Sequence, residues 1–455
     1  MHGSVTSSSS VRAWPGSAII LARDRMSKMG HAARKAQETT MPETHQPARE
    51  DNVKAIVDYF ESGAKSECTA IGIELEHTLV HANGDPVAYV DEHGQHEFLE
   101  LLSPAYPERM TNQDGELIGL LRPGSSVTLE PGSQMELSAG PYEDLDEAMK
   151  DFLSFERELA DIVSPYDIDV LAIGYHPTRK AADLKLLPKL RYEFMNRYLG
   201  GISKFGVCMM RGSASAQVSI DYSSVDDCLR KFRIANACVP LFSLICDNTP
   251  IFEAEPRPHF LMRTEVWEKC DPERCMLVPG SMDDGFSLRD YAEYILDTPA
   301  IVAIADGAEE YSTRTFGELH ADVPMTERDV EHAISMFFTD VRLKRYIEIR
   351  PADAMPVEYT IAYAAMVKGL FYDERSLDEL EGLFSGVTAD DVSEAKAALM
   401  AKGYGAKVYG AEARSLAAEL MRIARAGLTE DERPLTDPLA RLIGEGVTLA
   451  DLASA

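Results

Sequence analysis

The sequence predicts an α+β protein in which a single sheet carries an acidic face and helices flank it. Four stretches alternate apolar residues with acidic or amide residues, which is the side-chain period of a β-strand. Longer segments with apolar residues at helical spacing lie between and after them. Glu is a poor strand former and neighbouring carboxylates repel one another, so a face that repeats this pattern is expected to bind cations.

In the first acidic stretch, an extended backbone places Glu74 and Glu76 on one face and Ile73 and Leu75 on the other. Solvation of the polar face would explain one such strand. The pattern recurs in three later stretches, whose polar faces hold Gln134, Glu136 and Ser138, then Gln217, Ser219 and Asp221, and finally Glu348 and Arg350. We therefore expect the four stretches to be strands of one sheet with a chemical face.

Helices are predicted before and after these strands. Asp51 is expected to cap the first, because apolar residues at helical spacing follow it. A second is strongly amphipathic, and its apolar stripe is predicted to hold Leu145, Met149, Phe152, Leu153, Leu159, Ile162 and Val163. The segment from Val225 to Ile245 is apolar nearly all round, which predicts a buried helix with a cap at Ser224 and a kink at Pro240.

The last third of the chain is also predicted to be mainly helical. Further helices are expected to begin near Ser287, Thr326 and Pro356. Beyond residue 373 the pattern is helical to the end, with caps expected at Thr388 and Gly410.

Composition argues against some classes of partner. The chain has 455 residues, of which 45% are hydrophobic, so it can bury a large core. Asp and Glu (75) exceed Lys and Arg (45), and the net charge of −30 argues against nucleic acid or an anionic membrane as a partner. No stretch has transmembrane length. Residues 1–50 carry seven Lys or Arg against four Asp or Glu and a run of serines, which predicts a disordered N-terminal tail.

The seven cysteines suggest a reducing compartment. Their number is odd, and they form neither a CxxC pair nor a zinc-ligand spacing. We interpret them as reduced thiols of a cytoplasmic protein, with pairing of Cys270 and Cys275 left open.

The familiar phosphate-binding motifs are absent from the sequence. It contains no GxxxxGKS or GxxxxGKT, no strand-borne GxGxxG and no GxSxG nucleophile elbow. A bound nucleotide would therefore have to be held by metal ions on carboxylates and by single Arg and Lys contacts.

Several blocks together resemble the plant and proteobacterial type of glutamate–cysteine ligase: Gly72–Glu76, Leu129–Ser138, Met209–Asp221, Arg263–Trp267 and Val341–Arg350. The resemblance covers roughly residues 50–455 in order. It implies a glutamine-synthetase-like fold, in which a curved antiparallel sheet carries three Mg²⁺ sites on its concave face. The catalytic domain would then span residues 51–372, with residues 373–455 forming a helical region packed on it. The implied substrates are glutamate, cysteine and ATP.

The resemblance also implies roles for individual residues. Arg350 would contact phosphate and substrate, and Arg263 would bind a substrate carboxylate, which makes both candidate catalytic residues. Lys189, Arg191 and Tyr192 match part of a substrate-binding loop, and Lys185–Tyr198 is our candidate closing segment. The implied metal ligands are Glu74, Glu76, Glu130, Glu136, Gln217 and Glu348. Without the resemblance, Arg263 could equally be an ion-pair partner of the acids. Lys189 and Arg191 would then be interpreted as residues of a solvated loop.

Three alternatives stay open. At positions 211–215 this chain has Arg-Gly-Ser-Ala-Ser where the plant enzymes carry bulkier residues, so the amine joined to glutamate could be one other than cysteine. The chain could instead be a metal-dependent phosphotransferase on the same fold. It could also be a sensor that binds Mg-ATP without turnover. The sequence leaves the oligomeric state undetermined.

Overall fold

The computed structural model describes residues 47–305 and 307–454. Most of the predicted disordered tail lies outside the described residues, so that prediction stands untested. Residues 48–455 form one compact unit. None of the described helices is long and apolar enough to cross a bilayer.

A nine-stranded sheet lies at the centre of the described fold. The strands, including those of three small hairpins, are β1 (Ile71–His81), β2 (Glu108–Thr111), β3 (Leu117–Arg122), β4 (Ser125–Leu129), β5 (Met135–Tyr142), β6 (Ile168–Leu171), β7 (Ala216–Ile220), β8 (Ile251–Phe252), β9 (Glu255–Pro256), β10 (Pro299–Ala305), β11 (Ala308–Thr315), β12 (Val341–Leu343), β13 (Ile347–Ile349), β14 (Lys407–Val408) and β15 (Ala411–Glu412). The sheet order is β12-β13-β7-β1-β5-β4-β3-β2, with β6 on the far half of β1, and the described pairs are antiparallel. The prediction of an α+β fold with one acid-bearing sheet is therefore confirmed.

The strand register puts the polar residues of four neighbouring strands on one face. Glu74 of β1 lies opposite Ser138 on one side and Gln217 on the other, and Glu76 lies opposite Glu136. The alternate residues of the same strands are buried among apolar neighbours, as expected for a sheet with one core face. A one-residue slip would invert both faces, so burial of the apolar set fixes where the acids point.

Helices cover the apolar face and the edges of this sheet. They are α1 (Pro47–Glu61), α2 (Gln95–Leu102), α3 (Leu145–Val163), α4 (Leu190–Ile202), α5 (Lys204–Val207), α6 (Val225–Ile245), α7 (Met262–Glu268), α8 (Leu288–Asp297), α9 (Phe316–Leu319), α10 (Glu327–Ile334), α11 (Val357–Phe371), α12 (Glu374–Leu383), α13 (Ala389–Lys402), α14 (Ala413–Gly427), α15 (Asp437–Glu445) and α16 (Leu449–Ala453). The almost wholly buried α11 packs against β1, β7 and α3.

Most predicted helix starts are confirmed by their capping hydrogen bonds. The side chains of Ser224, Ser287, Thr326 and Thr388 each accept from a backbone N–H in the first helical turn. Pro356 directly precedes α11, also as predicted.

Three local predictions are wrong. Asp51 is not a cap, because α1 already begins at Pro47 and Arg49 within it forms an ion pair with Asp297. Gly410 lies between β14 and β15 rather than at a helix start, and it adopts a left-handed φ of 80° that suits a hairpin turn. Leu153 is 40% exposed, since the buried stripe of α3 instead uses Ala148 and Phe155.

The C-terminal helices pack closely on α11. A Cβ added at Gly369 would lie 2.1 Å from the carbonyl oxygen of Ala424, so α11 and α14 are in backbone contact there. No feature of the fold tests the predicted boundary at residue 372, which stays a prediction.

Candidate active site

The acidic face of the sheet forms the wall of a cavity of about 320 Å³. The residues predicted from the sequence that line it are Glu74, Glu76, Glu130, Glu136, Gln217, Arg191, Tyr192, Arg263 and Arg350. The structure thus brings together all but two of the predicted site residues. Their individual roles remain predictions.

The two exceptions lie just outside the cavity surface. Glu348, at 0% exposure, is buried behind the wall on β13. Lys189 directly precedes α4, and its Nζ lies 4.7 Å from the centre of the Tyr192 ring. The pKa of Lys189 is lowered, mainly by burial and further by the charge of Arg191. The charge of Glu130 acts in the opposite direction but does not outweigh them.

Short polar contacts orient the acids of the wall. Glu76 Oε1 accepts a 2.6 Å hydrogen bond from Ser215 Oγ. Glu136 accepts from Thr128 at 3.1 Å and from Ser138 at 2.9 Å. These contacts leave the carboxylates partly free to face the cavity.

A bend brings Glu130 to the same wall. The backbone N–H of Ser133 donates to the Glu130 carbonyl at 2.8 Å, and Ser133 itself has a left-handed φ of 67°. The chain therefore turns between Glu130 and Glu136.

Four of the acids face one another without a basic partner. Glu74, Glu76, Glu130 and Glu136 form no ion pair within the described part of the chain. Burial, followed by the charge of neighbouring acids, raises the pKa of Glu74 to about 8, of Glu76 to about 8 and of Glu136 to about 7. Burial also raises the pKa of Glu130. Such a group is stabilised by any cation that enters the cavity.

Glu348 is in the opposite electrostatic situation. Burial alone would raise its pKa, but Arg342, Lys344 and Arg350 outweigh burial and hold the pKa well below the ordinary value. Its carboxylate lies 2.7 Å from Arg342, 2.6 Å from Lys344 and 2.9 Å from Arg350. As the side chains stand, Glu348 is neutralised by protein cations, and a metal ion there would have to displace one of them.

The donor set fits Mg²⁺ at the unpaired acids. Magnesium prefers oxygen ligands and takes one or two carboxylates together with waters and phosphate oxygens. Among the described residues, no three His, Cys, Asp or Glu side chains are already arranged as a closed metal site. A Mg²⁺ ion at these acids would therefore need further oxygen ligands from water or phosphate.

Two arginines, Arg350 and Arg263, line the same cavity as the acids. Arg350 Nη1 donates to the side-chain oxygen of Gln217 and to Glu348. Arg263, only 4% exposed, donates from Nη1 to the Arg350 carbonyl at 3.1 Å. The amide oxygen of Gln217 thus faces a guanidinium rather than an open space.

Unpaired N–H donors indicate an anion site. The Nε atoms of Arg263 and Arg191 and the indole N–H of Trp267 have no acceptor among the described residues. All three residues line the cavity. Buried donors without acceptors cost free energy, which an anion in contact with them would recover.

One part of the lining is apolar. It consists of Met195, Met209, Met210, Trp267 and Phe338. Met209 and Met210 belong to a π-helical turn, Cys208–Gly212, of the kind often found at functional sites. Arg211 turns away from the cavity and contacts Asn196 and the Leu184 carbonyl.

The closing segment predicted from the sequence is partly helical in the structure, and two residues of the lining were missed; closure itself stays a prediction. The proposed closing segment Lys185–Tyr198 is largely helical, because α4 buries Tyr192, Met195 and Leu199 at helical spacing. Arg342 and Lys344 also line the cavity, although no role was predicted for them. The alternation of Val341, Arg342, Leu343 and Lys344 was the available signal, although the strand itself ends at Leu343.

Comparison with known proteins identifies the family of the chain. The family model described as glutamate–cysteine ligase family 2 matches residues 70–455. The chloroplastic glutamate–cysteine ligase of Brassica juncea is 29% identical over 450 residues, covering 94% of this chain and 85% of that protein. The corresponding Arabidopsis thaliana protein is 28% identical over 456 residues, covering 95% and 85%.

A solved structure shares the fold at low sequence identity. The glutamate–cysteine ligase of Francisella tularensis in complex with AMP aligns with a TM-score of 0.51 and 13% identity, covering 84% of this chain and 83% of that one. The likeness supports the fold alone. Because the family model covers most of the chain, the protein belongs to the glutamate–cysteine ligase family 2.

Proposed function

We propose that this protein is an ATP-dependent ligase that joins L-glutamate to L-cysteine and forms γ-glutamylcysteine, the first step of glutathione biosynthesis. The observation that carries the proposal is one cavity whose lining combines unpaired carboxylates with arginine and tryptophan side chains that keep unpaired N–H donors. Such a cavity accepts metal-bound phosphate on one side and an amino-acid carboxylate on the other. Membership of the glutamate–cysteine ligase family supports ATP as the source of the phosphate and glutamate as the source of the carboxylate.

The reaction has two steps. A γ-carboxylate oxygen of glutamate attacks the γ-phosphorus of ATP, and ADP leaves. The amine nitrogen of cysteine then attacks the carbonyl carbon of the γ-glutamyl phosphate, phosphate leaves and the amine loses a proton to solvent. Mg²⁺, held by Glu74, Glu76, Glu130 and Glu136, would neutralise charge so that the two anions can approach.

We assign different roles to the two arginines: one binds substrate before the reaction, and the other stabilises charge during phosphoryl transfer. We assign the α-carboxylate of glutamate to Arg263, with the indole N–H of Trp267 as a second donor. Arg350 contacts Gln217 and Glu348 at the cavity wall, where its guanidinium can stabilise charge on the phosphoryl group in transfer. The thioether-lined part of the cavity would receive the cysteine side chain, which is small and apolar.

A second cavity is a candidate for the nucleoside end of ATP. Its volume is about 520 Å³, and Glu74 lines both cavities. Lys65 and Arg122 supply basic groups there, and serines from three strands supply hydroxyls. We expect Ser126→Phe to raise KM for ATP by about tenfold without changing KM for glutamate. An equal rise in both KM values would contradict the assignment.

The decisive experiment measures ADP release with ATP, Mg²⁺ and glutamate across a panel of amines, with mass identification of the product. Cysteine should be the best substrate, and Glu76→Gln serves as the inactive control. Equal ADP release without an amine would favour a phosphotransferase or hydrolase. Binding of Mg-ATP without ADP release would favour a sensor, and preference for another amine would correct the second substrate.

A reducing location is part of the proposal. All seven cysteines are free, and all but Cys68 are buried. We propose a cytoplasmic protein on this ground, and fractionation of cells with antibody detection tests it.

A further inference from the structure

Lys396 is a buried cation of the C-terminal helices, with 4% exposure. It projects from α13, and its Nζ lies 2.6 Å from Asp340 Oδ2 and 3.5 Å from Glu268 Oε1. Burial lowers the pKa of Lys396, but the two carboxylates outweigh burial and the net shift is upward. The side chain is therefore charged at neutral pH, with both partners in place.

The two partners belong to the segments that carry the active-site arginines. Glu268 is the last residue of α7, which also holds Arg263. The carbonyl of Asp340 accepts a 2.8 Å hydrogen bond from the backbone N–H of Arg350. The segments meet where Arg263 donates to the Arg350 carbonyl at 3.1 Å. Lys396 thus ties together, from outside the cavity, the two chain segments whose side chains face each other inside it.

We propose that Lys396 is a positioning residue that sets the spacing between Arg263 and Arg350. Without its charge, the carboxylates of Glu268 and Asp340 would share a poorly solvated space and repel each other, so α7 and the start of β12 would separate. A misplacement of about 1 Å at a reacting site can lower the rate by about 100-fold. The kinetic part of this inference rests on the proposed function.

A second contact keeps α13 in place when the charge is removed. The backbone N–H of Phe260, shortly before α7, donates to the Met400 carbonyl at 3.1 Å. Replacement of Lys396 therefore removes the bridge between the carboxylates while leaving this backbone anchor. Lys402, which is exposed at the end of the same helix, is a matched control.

The kinetic test compares Lys396→Met, Lys396→Arg and Lys402→Met. We expect Lys396→Met to raise KM for glutamate and lower kcat, each by about tenfold, while KM for ATP stays within about twofold. Lys396→Arg should restore most of the loss because it keeps the charge. If the rate fell only in proportion to the amount of folded protein, with both KM values unchanged, the inference would be overturned and the lysine would be purely structural.

A second readout is independent of activity. Trp14 and Trp267 are the two tryptophans of the chain, so a Trp14→Phe background leaves Trp267 of α7 as the only emitter. Acrylamide should quench Trp267 more strongly in Lys396→Met than in the background protein, Lys396→Arg or Lys402→Met. Unchanged quenching would overturn the inference even if the protein proved inactive as a ligase. If Lys396→Met does not fold, the polar but uncharged Lys396→Gln takes its place, and wild-type KM and quenching in that variant would overturn the inference.

Discussion

Glu76 of β1 lies directly opposite Glu136 of β5. Like charges at facing positions of a sheet repel, and neither carboxylate has a basic partner in the described chain. Burial and neighbouring acids raise the pKa of Glu76 to about 8 and that of Glu136 to about 7. The pair therefore retains protons at a pH where ordinary carboxyl groups have lost them, and a cation that bound there would displace those protons.

Metal-free protein should lose stability as the pH rises from about 4.5, the ordinary pKa of a Glu side chain, to about 8. Because the folded pKa values lie above the unfolded ones, the folded state holds extra protons in this window, and stability falls as they leave. Mg²⁺ should remove most of the fall and should release protons on binding. Melting curves with EDTA or Mg²⁺, and calorimetry in buffers of different ionisation enthalpy, check both points. A fall that Mg²⁺ leaves unchanged would count against a metal site at these acids.

Gly369→Ala should destabilise the fold, because the new methyl group would meet the Ala424 carbonyl of α14. Overpacking of this kind costs about 1–3 kcal/mol, and the loss would show in urea denaturation. Gly382 of α12 has nothing within 4 Å of its added Cβ, so Gly382→Ala is the matched control and should be neutral or slightly stabilising. Equal effects of the two variants would mean that α11 and α14 are less closely packed than the structure shows.

Met209→Ala should change the choice of amine rather than the use of ATP. The side chain lines the apolar part of the cavity, and its loss would leave room for a bulkier amine. We expect the ratio of kcat/KM for cysteine over a larger amino acid to fall by about tenfold or more. Met149, which lies on α3 outside the cavity lining, supplies the control Met149→Ala. An unchanged ratio in Met209→Ala would place the amine elsewhere.

The sheet could be predicted because the same alternation that defines a strand also places the acids. The positions of Glu74, Glu76 and Glu136 on one face followed from the side-chain period of two and from a buried apolar face. Arg263 could not be assigned from pattern alone, since its partner is the backbone carbonyl of Arg350, distant in sequence. A main-chain acceptor leaves no trace in side-chain identity.

The cations that neutralise Glu348 also could not be predicted from the sequence. A strand pattern shows that Glu348 and Arg350 share a face, but it does not show which cations reach the carboxylate. The β12–β13 register sets Arg342 opposite Glu348, and this register depends on the hairpin turn. Lys396 was missed for a similar reason, because its carboxylate partners lie 56 and 128 residues away in the chain.

Removal of residues 1–45 should leave turnover and melting temperature unchanged. The composition of this segment lacks a periodic apolar face, and α1 begins after it at Pro47. Purified full-length and shortened proteins can be compared by ADP release and thermal melting. A loss of more than roughly 4 °C would show that the segment contributes to the folded domain.

Arg350→Lys should abolish most of the activity without a change in metal requirement. A single nitrogen, Nη1, contacts both Gln217 and Glu348, so a lysine could keep the charge and these contacts. It would lack the planar fork of further N–H donors that can bind a phosphoryl group. If Arg350 acts on charge that develops during transfer, kcat should fall by about 100- to 1,000-fold, and high Mg²⁺ should not restore it.

Glu348→Gln should behave differently, and the contrast decides the role of each residue. The substitution removes the charge that balances Arg342, Lys344 and Arg350, so the melting temperature should fall. If Glu348 also binds metal during turnover, half-maximal activity will need more Mg²⁺, and high Mg²⁺ will restore part of the rate. Rate against Mg²⁺, measured for both variants beside their melting curves, separates the two cases. Overlapping metal titrations together with equal losses of stability would reduce Glu348 and Arg350 to a structural ion pair.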